Sequence, residues 1–150
     1  MILQDSKAGC GPAALVNALK SVGESITQTL AWSACRTTGT HGTGARNMIA
    51  GIEKLGHGAL VVHERDPREA IVRLRGYLNA GCPVLAIVDD GTHWVAVFAP
   101  MNGRVAVADS ADGELVLFPD HSEFLRRWAQ SGVRKPYWGV AIAARGGVAP

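Results

Sequence analysis

The sequence lacks the features that would mark a membrane protein, a nucleic-acid-binding protein or a secreted one. Its net charge is only +2, and the basic residues are scattered, whereas nucleic acids and anionic membranes favour a clustered basic face. No apolar run approaches the roughly 18 residues that a membrane span needs. The N-terminus does not have the basic segment and apolar core of a secretory signal. We therefore expect a cytoplasmic protein, or a module of a longer one, that binds no nucleic acid and has no membrane span.

Cysteine is also scarce, and the histidines have no spacing typical of metal ligands. Three widely spaced cysteines, Cys10, Cys35 and Cys82, fit free thiols better than a disulfide framework. We expect neither a metal nor another cofactor. Solvated or capping roles are expected for the four histidines His41, His57, His63 and His121.

The chain does have the composition of a folded domain. It is 47% hydrophobic and 19% charged over 150 residues, enough to bury a core and unlike a disordered segment. No internal repeat or linker divides it, so we expect a single domain over residues 1–150.

Apolar periodicity predicts helices in the first half and strands in the second. Helices are predicted at 12–23, 26–35, 45–56, 66–81 and 122–132. Strands are predicted at 59–63, 83–90, 93–100, 104–110, 114–120 and 137–144. Asp66 is the expected N-cap of the fourth helix, with Pro67 in its first position. Helices followed by an antiparallel meander indicate an α+β fold, with the N-terminal helices packed on an antiparallel sheet.

The segment QDSKAGCGPAAL (4–15) places a cysteine at the start of the first helix. Unpaired backbone N–H groups and the helix dipole lower the pKa of a thiol in that position and favour the nucleophilic thiolate. Gln4 can direct its side-chain amide to the same place as the backbone N–H of Cys10. Two such donors stabilise the oxyanion that forms when a carbonyl is attacked.

A nucleophilic cysteine also needs a base, and His93 has the best setting among the histidines. It begins the alternating strand HWVAVF directly after a Gly-Thr turn. A hairpin turn at 101–103 would bring Asp109 back to a similar depth, where its carboxylate could orient the imidazole. Trp94 points to the opposite side of the strand, so we expect it to pack in the core.

The motifs Q-x5-CGPAAL, GTGARNMIAGIEKLG, AGCPVLAIV, THWVAVF, VADS and FLRRW together resemble the C39 branch of papain-like cysteine peptidases. Members of that branch trim leader peptides from bacteriocins and related secreted peptides. The resemblance implies a papain-like fold with Cys10 as nucleophile and His93 as general base and acid. It also implies that Asp109 orients His93 and that Gln4 contributes to the oxyanion hole. Ser110 follows Asp109 where many relatives have proline.

The sequence leaves three functions open. The first is a cysteine endopeptidase acting on a peptide or protein, with leader processing after small residues of the Gly-Gly type implied by the resemblance. The second is an amidase or transglutaminase-like acyl transferase, since the same nucleophile and base serve both reactions. The third is a non-catalytic module that binds peptides in the same groove.

Overall fold

A computed structural model describes residues 1–100, 104–118, 121–130 and 136–144. Its helices are α1 (Cys10–Ser21), α2 (Gln28–Ala34), α3 (Ala45–Lys54), α4 (Pro67–Asn79) and α5 (His121–Trp128). Its strands are β1 (Gly58–His63), β2 (Val84–Val88), β3 (His93–Phe98), β4 (Val105–Asp109), β5 (Glu114–Phe118) and β6 (Trp138–Ala143). Each predicted element is present, and most bounds differ by a few residues.

Two helices begin directly after a residue whose side chain caps them. The Asp66 carboxylate accepts a hydrogen bond from the backbone N–H of Arg68 at 2.7 Å, with Pro67 as the first residue of α4. This confirms the predicted cap. At α2 the Thr27 hydroxyl accepts from the N–H of Leu30. Helix α1 starts at Cys10 itself, because a 3₁₀ turn at Lys7–Gly9 leads directly into it.

The six strands form one antiparallel sheet in the order β1-β6-β2-β3-β4-β5. Strands β2 to β5 make the predicted meander, whereas β6 pairs with both β1 and β2 on the other side. In the pairing of β3 with β4, Ala96 lies opposite Ala108. The turn predicted at 101–103 lies outside the described residues.

Each face of the sheet is covered by helices, so two apolar cores form. Helices α1 to α3 cover one face, where Leu15 and Leu19 join Trp94, Ala96 and Ala108 in a buried cluster. Helices α4 and α5 cover the other face, where Leu74, Phe124 and Trp128 pack against alternating valines of the strands. The architecture is the predicted α+β fold.

Two histidines that were expected to be solvated or capping are buried instead. His57 is 6% exposed, and its ring nitrogens lie 2.9 Å from the Ala143 carbonyl and 2.9 Å from the Glu24 carboxylate. His121 is buried at the start of α5, where its Nδ1 accepts a hydrogen bond from Arg75. Polar partners within reach make this burial tolerable. Within the described part of the chain, no helix is long and apolar enough to cross a membrane.

Candidate active site

The Cys10 thiol lies at the start of α1, at the end of the sheet where β3 begins. It is 6% exposed. Its sulfur is hydrogen-bonded to the His93 side chain and to the backbone N–H groups of Trp94 and Gly11. Burial by itself raises the pKa of this thiol, but these hydrogen bonds and the charge of His93 outweigh it and lower the pKa below the ordinary value. The surroundings therefore favour a thiolate.

His93 lies between Cys10 and Asp109. Its Nε2 is 2.7 Å from Oδ1 of Asp109, and since a carboxylate only accepts, Nε2 carries the proton. That leaves Nδ1 for the sulfur. The hydrogen bond with Cys10 is the largest cause that raises the pKa of His93, burial opposes it, and Asp109 adds to it, so that the pKa reaches about 9. Cysteine and histidine are thus placed to form a thiolate–imidazolium pair.

Asp109 is 5% exposed at the end of β4. Its Oδ1 also accepts from the backbone N–H of Ala111 at 3.0 Å, and its Oδ2 accepts from Arg127 at 2.7 Å. Burial raises the pKa of this carboxyl, but the hydrogen bonds from Arg127, His93 and Ala111 outweigh burial and lower the pKa. Asp109 therefore stays ionised beside the imidazole.

Alternation along the strands explains why His93 and Asp109 meet. Val95 and Val97 of β3 and Val105 and Val107 of β4 all face α4 and α5. His93 and Asp109 continue these two rows, so both side chains lie on that face, at the rim of the sheet. Trp94 lies on the opposite face, where it packs edge-on against Trp138. Its predicted place in the core is confirmed.

Gln4 lies beside the end of β4 through contacts with Ser110. The backbone N–H of Gln4 donates to the Ser110 carbonyl, and the Ser110 hydroxyl donates to Oε1 of Gln4, each at 3.0 Å. The side-chain amide, Nε2, donates to the Ser6 carbonyl at 2.9 Å. The structure thus brings Cys10, His93 and Asp109 together, while one of the two amide hydrogens of Gln4 is used within its own loop.

An open cleft of about 410 Å³ adjoins the sulfur. Its walls are the 3₁₀ turn and the first residue of α1, the loop 39–43, the turn 91–92 and Trp94. Most of the lining side chains are small, and the large ones are those of Lys7, His41 and Trp94. The loop is held in place by Thr43, whose carbonyl accepts from Nε1 of Trp94 at 2.9 Å and whose hydroxyl lies 2.6 Å from that of Thr37. The cleft could admit an extended chain with small side chains.

Gly11 lies where the cleft loop approaches the first turn of α1. A Cβ atom on Gly11 would lie 2.5 Å from Oγ1 and 2.7 Å from Cβ of Thr43. The missing side chain therefore lets the cleft loop pack directly against the first turn of α1.

Sequence reasoning missed Arg127, which contacts Asp109 from α5. Only the position of FLRRW on a helix could be inferred, because a single arginine on a polar helix face carries no signal of its partner. Among the described residues, no group of three or more His, Cys, Asp or Glu side chains could hold a metal ion.

No protein family matches this chain by sequence, and no curated protein does either. Solved structures are similar in fold. The peptidase domain of Streptococcus ComA, a bifunctional ABC transporter involved in a quorum-sensing pathway, has a TM-score of 0.69 at 19% identity, covering 95% of this chain and 96% of that one.

Two further structures are similar over nearly the whole chain. A double-glycine-motif protease from an AMS/PCAT transporter, in complex with its leader peptide, has a TM-score of 0.67 at 18% identity, covering 95% of this chain and 89% of that one. The peptidase domain of Streptococcus mutans ComA has a TM-score of 0.60 at 12% identity, with coverage of 96% and 98%. The chain therefore has the α+β fold of these papain-like peptidase domains.

Proposed function

We propose that residues 1–150 act as one cysteine peptidase domain that cuts a peptide bond through an acyl-enzyme on Cys10. The observation that carries the proposal is the hydrogen-bonded series Cys10–His93–Asp109 at the edge of an open cleft. A buried thiol with a lowered pKa beside an imidazole with a raised one is the arrangement that nucleophilic cysteine catalysis uses.

In the proposed reaction, the Cys10 thiolate attacks the carbonyl carbon of the scissile bond and a tetrahedral oxyanion forms. The imidazolium of His93 gives its proton to the leaving amine as the C–N bond breaks. Neutral His93 then takes a proton from water, which attacks the thioester, and the thiolate leaves as the acid product forms. Asp109 holds the ring and stabilises its charged form throughout.

The oxyanion hole requires a contact from Gln4 in addition to those that its side chain already makes. The backbone N–H of Cys10 lies in the first turn of α1, and Gln4 is proposed as the second donor. Since Nε2 of Gln4 donates to the Ser6 carbonyl, either its second hydrogen or a turn of the side chain must supply the contact. Catalytic hydrogen bonds often tighten only in the substrate complex.

The proposed substrate is a peptide with small residues before the scissile bond. The cleft supports this, because glycines and threonines form most of its walls beside the sulfur. The similar structures are described as peptidase domains, and one is a double-glycine-motif protease bound to a leader peptide. Leader-peptide processing after a Gly-Gly type sequence is the specific form of the proposal.

Incubation with a peptide library, followed by mass spectrometry, tests the function. The wild type should cut after small residues, and Cys10→Ala should abolish cutting while the circular dichroism spectrum stays unchanged. Cys82→Ala is the matched control, since Cys82 is also a buried thiol but lies in the connection between α4 and β2. Unchanged turnover in the Cys10 variant would remove the proposal.

The products also separate the remaining alternatives. A mass increase from an added amine, with no hydrolysis, would identify an acyl transferase instead. Peptides that bind but are never cut would identify a binding module.

A further inference from the structure

Arg127 lies between two carboxylates that belong to different parts of the sheet. Its Nη2 donates to Oδ2 of Asp109 at 2.7 Å and to Oδ2 of Asp89 at 3.1 Å, while Nε lies 3.4 Å from Oδ1 of Asp89. The guanidinium has a fixed planar fork of donors, so one side chain can hold both acids in a defined relation.

On the Asp109 side, the arginine fixes the rotation of the carboxylate. Oδ1 already accepts from His93 and from the backbone N–H of Ala111. The second oxygen is held by Arg127, which prevents the group from turning about its last bond. Glu114 lies opposite Asp109 in the pairing of β4 with β5 and is exposed. Within the part of the chain that the structure describes, His93 and Arg127 are the charged side chains bonded to this carboxylate.

On the Asp89 side, the arginine holds the turn from which His93 emerges. Residues 89–92 connect β2 to β3, and Val88 pairs with His93 across the turn. Asp89 and Asp90 both have positive φ angles, 54° and 58°, which non-glycine residues rarely adopt. The backbone N–H of Gly91 also donates to the Gln130 carbonyl just beyond α5. Two interactions therefore hold this turn against the end of α5: the ion pair of Arg127 with Asp89 and the backbone hydrogen bond from Gly91 to Gln130.

We propose that Arg127 is a positioning residue: its guanidinium fixes Asp109 and the 89–92 turn relative to each other, so that His93 is held against Cys10. The inference rests on the proposed function, because it assigns Arg127 a part in activating the same thiol. Arg127 acts through Asp109 and Asp89, and it is not among the groups that shift the pKa of Cys10. A merely structural ion pair would stabilise the fold without changing how Cys10 responds to pH.

The test is the rate at which iodoacetamide alkylates Cys10, followed by peptide mapping from mildly acidic to mildly alkaline pH. No substrate needs to be known. In Arg127→Met, the carboxyl of Asp109 loses its cationic neighbour and its fixed orientation, so it protonates at higher pH and supports the imidazolium less. The acid limb of the alkylation profile is the pH range in which the rate rises as the Cys10 thiol ionises. This limb should therefore move to higher pH by about one unit. On that limb the rate should fall about tenfold.

Three further variants make the result specific. Arg127→Gln should show the same upward shift, and it carries the test if the methionine variant does not fold by circular dichroism. Arg127→Lys, which keeps a cation beside Asp109, should restore the limb towards the wild-type position. Arg126→Met removes the exposed neighbouring arginine and should leave the profile unchanged.

The possible failures are distinguishable. A folded Arg127→Met or Arg127→Gln variant with the wild-type limb and rate would overturn the role of Arg127 and leave the peptidase proposal standing. If Cys10 of the wild type alkylates no faster than Cys35 and Cys82, the activated thiol itself is absent and both proposals fall.

Discussion

The pKa values of the three cysteines shift in different directions because the surroundings of the three thiols differ. Burial raises the pKa of Cys35 to about 11 and also raises that of Cys82. Cys10 is just as inaccessible by area, yet its hydrogen bonds reverse the direction of the shift. The sequence singled out Cys10 through its place at the start of α1 and through Gln4, His93 and Asp109. The backbone donor of Trp94 could not be predicted, because it approaches the sulfur only in the folded chain.

Alkylation at limiting reagent should therefore be selective. Near neutral pH, iodoacetamide should modify Cys10 well ahead of Cys35 and Cys82, because the thiolate is the reactive form. Peptide mapping after a short exposure measures the three rates in one sample. Repeating the reaction in denaturant is the control, since unfolding should make all three thiols react alike. Equal rates in the native protein would contradict an activated thiolate.

The raised pKa of His93 predicts different pH profiles for cleavage and for alkylation. Cleavage needs both the thiolate, which is lost as pH falls below the lowered pKa of Cys10, and the imidazolium, which is lost as pH rises through about 9. The kcat/KM for a peptide should thus be bell-shaped and decline above that pH. Alkylation needs no proton donor, so its rate should not decline there. Parallel declines would indicate loss of the fold instead of deprotonation of His93.

At the scale of elements, two helical glycines have opposite surroundings and should respond oppositely to alanine. A Cβ on Gly51 of α3 would lie 2.6 Å from Sγ and 3.1 Å from both Cα and N of Cys35, where α2 ends against α3. A Cβ on Gly76 of α4 would meet no atom within 4 Å. Gly51→Ala should therefore lower the free energy of unfolding by about 1–3 kcal/mol through overpacking.

Gly76→Ala should raise the free energy of unfolding by about 0.5–1 kcal/mol, because alanine favours the helical backbone. Urea titrations of the two variants beside the wild type measure both changes. A stabilised Gly51 variant would mean that α2 and α3 do not approach as closely as the structure has them.

The order of helices and strands could be predicted from the sequence, because it depends on local features of the chain. Apolar spacing, the Asp66 cap and the turn residues predicted each α-helix and strand of the described residues, with most bounds within a few residues. The pairing partner of β6 could not be predicted. An apolar strand can pair at either edge of a meander or between two other strands. All six residues of β6 are buried, which fits its place between β1 and β2 under helices on both faces. The burial of His57 has the same origin, since Ala143 at the end of β6 supplies one of its partners.

At the scale of the whole molecule, the candidate site lies at the rim of the sheet where β3 begins, and residues from both faces of the sheet contribute to it. Cys10 comes from the α1 face, whereas His93, Asp109 and Arg127 belong to the face covered by α4 and α5. Cys10, His93 and Asp109 could be named as candidates from sequence, because their residue types carry chemistry. Arg127 could not, since its partners are 18 and 38 residues away and become neighbours only when α5 packs on the sheet.

Because the rim is separate from the centre of either core, stability and thiol activation should be separable. Leu74 of α4 is fully buried among valines of β2 and β3, whereas Val72 on the same helix is 67% exposed. Leu74→Ala should lower the free energy of unfolding by about 2–5 kcal/mol through the cavity that it leaves, and Val72→Ala should change it by less than about 0.5 kcal/mol. Under conditions in which each variant is folded by circular dichroism, Cys10 should alkylate at the wild-type rate in both, with an unchanged pH profile. A shifted pH profile in Leu74→Ala would mean that the packing of α4 affects the candidate site. The response of the Arg127 variants would then reflect a general loosening of this face of the sheet and not the loss of the contact with Asp109.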